Sequence, residues 1–512
     1  MKTKARSDSI RKRKKIEEKY SWDRLSNSRD ERRSHKARAL FASFFVLFIF
    51  ITYMIKLYEV QVSNYSYYSL KSDSNRIKIR PIQADRGLIL DRNGVKLAEN
   101  ISTFNLIVKK EKISDRKIFF EKLKQVIPLN PSQVDEIRLQ FKNNRLKDIT
   151  ILENISLEKF SEISVDQHIL PDLELISKFK RNYIYPEAMS HVIGYLGKVS
   201  DSDIESDVVT IQEGMTEIGK IGIERFYQNI LSGKPGYEKL ETDAQGKIIR
   251  VIESIKPSSG NDIILTIDSE LQNFAYKQFK NKEGAAIVMN IKNGDILSLV
   301  SAPGYNINLF ANSISQKKYS KLLSRDDKPL INRALAGQYP PGSTLKPFIG
   351  LVALNESIIN ADKIVSCNGA YHLPNHKRPF RCWKRDGHGT TNLSYGLAQS
   401  CDVFFYRVAE LTGIDTISEK LYKYGFGERT YIDLYGEAKG LVPDRLWKSK
   451  TQQLPWYPGE TLNVGIGQGY FLATPIQLTL GTAVLASEGN TYIPHLLLGS
   501  INKKTKELKK YN

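Results

Sequence analysis

From Ala39 to Ile55 the chain runs without a charged residue (ALFASFFVLFIFITYMI). As a helix this stretch spans about 25 Å at about 1.5 Å per residue, enough to cross the hydrocarbon of a bilayer. Lys56 can snorkel at its end and Tyr53 and Tyr58 are placed as interfacial anchors, so a transmembrane anchor is predicted over 39–58. No small-x-small cleavage site follows the apolar run, which argues against a cleaved signal peptide. Beyond it the pattern is irregular over 60–255 and then becomes regular. Lys256-Pro-Ser-Ser-Gly260 is a turn-rich hinge, Asn261–Asp268 reads as a strand, and Ser269–Lys280 as an amphipathic helix. Ala285–Asn290 and Ile296–Ala302 flank Lys292-Asn-Gly294 and predict a β-hairpin. Long helical patterns follow at Thr344–Ser357, Gln399–Thr412 and Thr474–Ser487. This order predicts an α+β domain over 260–512, with helices against an antiparallel sheet.

Charge changes the picture at the amino end. The 512 residues hold 76 Lys and Arg against 56 Asp and Glu, a formal +20. Residues 1–38 alone hold 15 basic and 6 acidic side chains, a local +9 that leaves +11 for the other 474. Such a tail beside an apolar span is a topology signal more often than a nucleic-acid patch. It predicts a cytoplasmic N-terminus, with everything after about residue 58 on the other side of the membrane. With 41% hydrophobic residues and only three cysteines, the chain has enough apolar residues for two or three packed domains and too few cysteines for a disulfide framework.

Candidate chemistry begins at Tyr339-Pro-Pro-Gly-Ser-Thr-Leu-Lys346. Ser343 and Lys346 lie one helical turn apart, so the amine can reach the hydroxyl as its base. Backbone N–H groups at the helix start favour a developing oxyanion there, and Pro347 is tolerated in the first turn. By itself Ser-x-x-Lys is weak, because it recurs at Ser114, Ser156, Ser177 and Ser315, where a solvated helix face accounts for it. Ser400-Cys401-Asp402 adds a second hydroxyl and a carboxylate. Serine, lysine and serine make a proton relay for acyl transfer without histidine, although Ser400 or Asp402 capping a helix explains the local pattern equally well. All three cysteines, Cys367, Cys382 and Cys401, cluster around His388 in a Gly-His-Gly turn. They are the S/N donors of a tetrahedral zinc site, or else Cys367 and Cys382 form a disulfide beside an inert Cys401. Gly465-Ile-Gly-Gln-Gly469 lacks the βαβ context of a phosphate-binding loop.

These motifs resemble those of the class B penicillin-binding proteins, specifically the elongation-type penicillin-binding protein 2 branch. Arg86-Gly-Leu-Ile-Leu-Asp-Arg-Asn-Gly94, Arg181-Asn-Tyr-Ile-Tyr-Pro186 with His191 and Gly194-Tyr195, and Gly219-Lys-Ile-Gly-Ile-Glu224 with Tyr227, Leu231 and Gly233 are similar to the family's pedestal signatures. Tyr339–Lys346, Ser400–Asp402, and Gly465–Tyr470 with Thr474-Pro-Ile-Gln477 are similar to its transpeptidase signatures. The resemblance implies a pedestal of the dimerisation type over 60–255 and a transpeptidase domain of the serine β-lactamase-like fold over 260–512. Its site residues would be Ser343 as acylated nucleophile, Lys346 as base, Ser400 as proton shuttle, and Asp402 where many relatives have Asn. It also implies a structural zinc, one per chain, on Cys367, Cys382, His388 and Cys401, and no organic cofactor. The implied partners are peptidoglycan stem peptides, β-lactams as inhibitors, the inner membrane, a SEDS-type membrane glycosyltransferase and other elongation-complex proteins, with no nucleic acid.

One departure stands out. The family's Lys-Thr-Gly or Lys-Ser-Gly signature is absent, and Lys503-Lys-Thr-Lys506 has no glycine to let a substrate backbone approach. The strand that carries it is expected beyond Asn512, and these 512 residues by themselves are expected to be acylated weakly and to aggregate through open strand edges. The missing signature favours an alternative, a non-catalytic scaffold that holds a cell-wall polymerase; a β-lactamase or β-lactam sensor shares the Ser-x-x-Lys fold, but neither normally has this pedestal.

Overall fold

The computed structural model describes the chain from Ser28 to Tyr511 apart from residues 65–75, 111–112, 114, 143–147, 166, 171, 206–210, 213–214, 244–247, 312–313 and 375. Most of the basic segment 1–38, and Asn512, therefore lie outside the described residues. The chain divides into two compact units, one made of residues up to Arg80 with Glu238–Ser254, the other of Pro81–Tyr237 with Ile255–Asn512.

In the first unit a helix runs from Ser28 to Tyr58 and passes into a π turn at Glu59–Ser63. It starts earlier than the apolar pattern because Arg, Lys, Glu and Ala before Leu40 are themselves good helix formers. Its apolar part, Arg38–Ser63, is 26 residues with nothing buried, long and apolar enough to cross a membrane. A three-stranded sheet, in the order Ile77–Ile82, Gly236–Thr242, Ile248–Ile255, completes this unit. There Glu241 pairs with both Arg76 and Arg250.

The second unit is built on a seven-stranded sheet that runs through both of its halves. β1 (Ile89–Leu90), β2 (Lys96–Lys109), β3 (Asp148–Ile155) and β4 (Leu173–Tyr183) come from the first half. β4 pairs with β2 antiparallel from Ala98 and Tyr183 to Val108 and Leu173. β5 (Asp262–Leu265) runs parallel to β1, with Ile263 opposite Ile89. Then α1 (Ser269–Gln278) begins at Asp268, whose carboxylate accepts the Leu271 N–H. β6 (Gly284–Met289) and β7 (Ile296–Ala302) form the predicted hairpin, Gly284 opposite Ala302. The hairpin is a ladder of its own, tied to the neighbouring strand ends by Ile296 N–H to His495 O at 3.1 Å and Asp268 N–H to Leu297 O at 2.9 Å, while β5 joins the first half's strands. Among the helices are α2 (Lys346–Asn355), α3 (Asp402–Thr412) and α4 (Pro475–Ala486), the last opened by a capping box between Thr474 and Gln477. β8 (Leu497–Ile501) and β9 (Leu508–Lys510) extend the sheet from β5.

Arg86, Arg181 and Glu224, one from each pedestal signature, meet inside this unit. Arg86 Nε donates to Glu224 Oε2 at 2.6 Å and Arg181 Nε to Oε1 at 2.8 Å, with Glu224 fully buried. His191 sits edge-on to Tyr305, their ring centres 5.5 Å apart, and joins the first half to the loop after β7. A second core lies among the later helices, where Leu345, Phe348 and Ile349 pack with Phe404, Phe405, Val408 and the three cysteines.

Candidate active site

Ser343 is on a 3-10 turn, Gly342–Leu345, that leads into α2, and not on the α-helix that the spacing predicts. The reason is Gly342, which takes φ +62° and donates its N–H to Gly467 O at 2.8 Å. Gly467, at φ +70°, lies against that same turn: a Cβ there would stand 2.1 Å from Gly342 O. Gly465 is needed for a second close approach, since its Cβ would fall 2.4 Å from Ala409 Cβ on α3. The glycine run 465–469 is thus a packing device that holds the Ser343 turn against α3.

The turn leaves Ser343 exposed and buries Lys346, which is 1% exposed. Lys346 reaches Ser343 indirectly. Its Nζ donates to Ser400 O at 2.9 Å, Ser400 Oγ at 3.1 Å and Asp402 Oδ1 at 2.7 Å, which uses all three donors of an ammonium. Ser400 Oγ in turn donates to Ser343 Oγ at 2.8 Å. The four residues proposed from sequence are therefore one hydrogen-bonded chain, with Ser400 as the link between hydroxyl and amine. The Phe405 ring closes over Lys346 Nζ at 5.6 Å. Neither Ser400 nor Asp402 caps α3 with its side chain, and Cys401 occupies the N-cap position. Ser400 instead adopts a left-handed turn, φ +51°, that aims its hydroxyl at Ser343.

Cys367, Cys382, His388 and Cys401 converge with their donor atoms all within 4.8 Å of one another, and all three thiols are free. His388 Nδ1 lies 3.5 Å from Cys367 Sγ and 3.6 Å from Cys382 Sγ. Burial pushes Cys401 up to about 12, with the neighbouring Cys367 adding to it. Burial also acts on Cys367, but the Gly369 and His388 N–H groups and the other two thiols outweigh it and draw that thiol below its ordinary value. His388 is held below the usual imidazole value by burial and then by Lys384.

Two contributions were not read from the sequence. Gly467 belongs to a stretch similar to a transpeptidase signature, but nothing in its sequence pattern gives its packing against Gly342, a contact that spans 125 positions of chain. The other is Trp383, beside Cys382: its peptide N–H donates to Asp402 Oδ2 at 2.9 Å and its indole Nε1 to Gln399 O at 3.0 Å.

A penicillin-binding protein transpeptidase domain matches residues 284–512 and a penicillin-binding protein dimerisation domain matches residues 81–265. The chain belongs to the penicillin-binding proteins. Among characterised relatives it is 36% identical to the peptidoglycan D,D-transpeptidase MrdA of Acinetobacter baumannii over 474 residues, 92% of this chain and 70% of that protein. Its structure is similar to penicillin-binding protein 2 of Helicobacter pylori solved in complex with MreC, at TM-score 0.73 and 32% identity over 85% of this chain and 81% of that one. It is also similar, at TM-score 0.65 and 26% identity over 93% and 82% of the two chains, to a component of a peptidoglycan synthase complex that coordinates polymerization and crosslinking.

Proposed function

We propose that this protein is a peptidoglycan D,D-transpeptidase that cross-links stem peptides during cell elongation through a serine acyl-enzyme. The observation that carries the reading is the unbroken chain from Ser343 through Ser400 to Lys346 and Asp402. Ser343 Oγ attacks the carbonyl between the two terminal D-alanines, and its proton passes by way of Ser400 Oγ to Lys346 in its amine form. Negative charge on the carbonyl oxygen develops at the start of the Ser343 turn, where N–H groups have no intrahelical partners. The C–N bond then breaks, the proton returns through Ser400 to the departing D-alanine amine, and an ester remains on Ser343. An amine of a neighbouring stem peptide takes the acyl group and frees Ser343; water in its place gives carboxypeptidase activity. Asp402 holds Lys346 in line.

A fluorescent penicillin tests this reading. The protein is expected to be labelled covalently at Ser343, and Ser343→Ala to lose all labelling. Labelling that persists in the alanine variant would place the nucleophile elsewhere.

We also assign one structural zinc to Cys367, Cys382, His388 and Cys401. A tetrahedral zinc with bonds of about 2.3 Å to sulfur and about 2.0 Å to nitrogen sets its sulfur and nitrogen ligands about 3.5 Å apart, which the two Cys–His separations match. The metal would tie Cys382 to Cys401, the neighbours of Trp383, Ser400 and Asp402. Elemental analysis is expected to find one zinc per chain. No metal, together with a Cys367–Cys382 disulfide in the mass spectrum, would favour the alternative.

The apolar helix Arg38–Ser63 serves as a single anchor in the inner membrane, with the N-terminus cytoplasmic and the two later domains periplasmic. The relatives solved with MreC and within a peptidoglycan synthase complex support elongation-complex proteins and a SEDS-type glycosyltransferase as partners.

A further inference from the structure

Ser400 sits in a left-handed conformation, φ +51°, that costs free energy for any residue except glycine, and glycine would lose the hydroxyl. Something must hold that turn. Its own backbone supplies Ser400 N–H to Leu397 O at 3.1 Å and Cys401 N–H to Gly396 O at 2.8 Å. The two carbonyls of the turn itself, Gln399 O and Ser400 O, are taken by side chains from elsewhere: the Trp383 indole at 3.0 Å and Lys346 Nζ at 2.9 Å.

Trp383 is 60% exposed, an unusual setting for a residue with so much apolar surface. Both of its N–H groups nonetheless point inward, one to Gln399 O and one to Asp402 Oδ2, so they bracket Ser400 and Cys401 from the two sides. Its ring also meets His388 edge-on, with centres 5.4 Å apart. A ring that burial does not hold is thus held by hydrogen bonds to the residues flanking the shuttle.

We infer that Trp383 is a positioning residue for the acylation step: its indole N–H fixes the Gln399–Ser400 peptide and so keeps the Ser400 hydroxyl on Ser343. This rests on the reading of Ser343 and Ser400 given above. The inference concerns one hydrogen atom and can be tested at that level. Trp383 is replaced by β-(3-benzothienyl)alanine, which keeps the ring shape and puts sulfur where Nε1–H was. Pre-steady-state labelling with a fluorescent penicillin then separates the dissociation constant of the first complex from the acylation rate.

The expected result is an acylation rate lower by about 5- to 10-fold, the effect of losing one hydrogen bond, with the dissociation constant unchanged and the melting temperature lower by no more than about 2 °C. 5-Fluorotryptophan at the same position retains the N–H and is expected to retain the wild-type rate. An unchanged acylation rate in the benzothienyl variant overturns the inference. So does a loss confined to the dissociation constant, which would make the exposed ring a wall for the ligand. Wild-type protein that takes up no penicillin would defeat the catalytic assignment and this inference together, whereas normal wild-type acylation with an unaffected variant defeats this inference alone.

Discussion

Ser400 is the residue on which the proposed chemistry turns, because no direct bond joins Lys346 to Ser343 in the structure and the hydroxyl of Ser400 contacts both. Ser400→Ala removes the link and leaves nucleophile and amine in place, so the rate of penicillin acylation is expected to fall by about 10²- to 10⁴-fold, the usual scale of a lost proton-transfer partner. A rate within twofold of wild type would show that the amine reaches Ser343 without a relay. At this scale spacing and resemblance proposed Ser343, Lys346, Ser400 and Asp402, and these four do lie in one hydrogen-bonded chain. The connection among them was not legible in the sequence, because the distance from Ser343 to Ser400 is 57 positions of chain and 2.8 Å of space.

At the scale of elements, the Ser343 turn, α2 and α3 are held together by glycines that no side chain could replace. Gly467→Ala places a Cβ 2.1 Å from the Gly342 carbonyl and also strains a positive φ. It is expected to destabilise the protein by about 2 to 4 kcal/mol in urea unfolding and to slow acylation at least tenfold. Gly489→Ala is the control: its φ is +97° but a Cβ there meets nothing within 4 Å, so the cost is backbone strain alone, about 1 to 3 kcal/mol, with acylation unchanged. Equal effects of the two substitutions on acylation would remove Gly467 from the account of the site. Periodicity placed α1, α4 and the β6–β7 hairpin well. It missed the 3-10 turn before α2 and the left-handed turn before α3, because both depend on contacts from outside their own segments.

For the whole molecule, the buried groups that join its parts predict acid lability. Burial lowers His191 from its ordinary value to about 4, so the folded state holds it neutral. Its contribution is complete above the unfolded imidazole value of about 6.5 and is lost as pH falls toward 4, at most about 3 kcal/mol. Glu224 opposes its burial with Arg181 and Arg86 and ends below its ordinary value, so it adds a loss of the same sign only below about pH 4.5. Between pH 6.5 and 4.5 the stability of the wild type should therefore fall relative to His191→Gln, measured by urea unfolding across that range. Parallel curves would mean that folding leaves His191's affinity for a proton unchanged. Topology belongs to this scale as well. A reporter fused after Asn100 is expected to be active only in the periplasm, and cytoplasmic activity would overturn the assigned orientation.

Local physics made much of this protein readable from its residues in order. A charge-free run beside a basic tail, a hairpin around Asn-Gly, capped amphipathic helices and Ser-x-x-Lys are all short-range patterns. Solvent, hydrogen bonding and side-chain period dictate them with little help from the rest of the chain. The convergence of Cys367, Cys382, His388 and Cys401, the route from Ser343 to Lys346 through Ser400, the Gly342–Gly467 contact and the inward turn of both Trp383 N–H groups were decided by tertiary structure. Each joins segments far apart in sequence. Their geometry follows from how α2 and α3 pack around Leu345, Phe348, Phe404 and Phe405, a property of shape that composition and spacing do not encode.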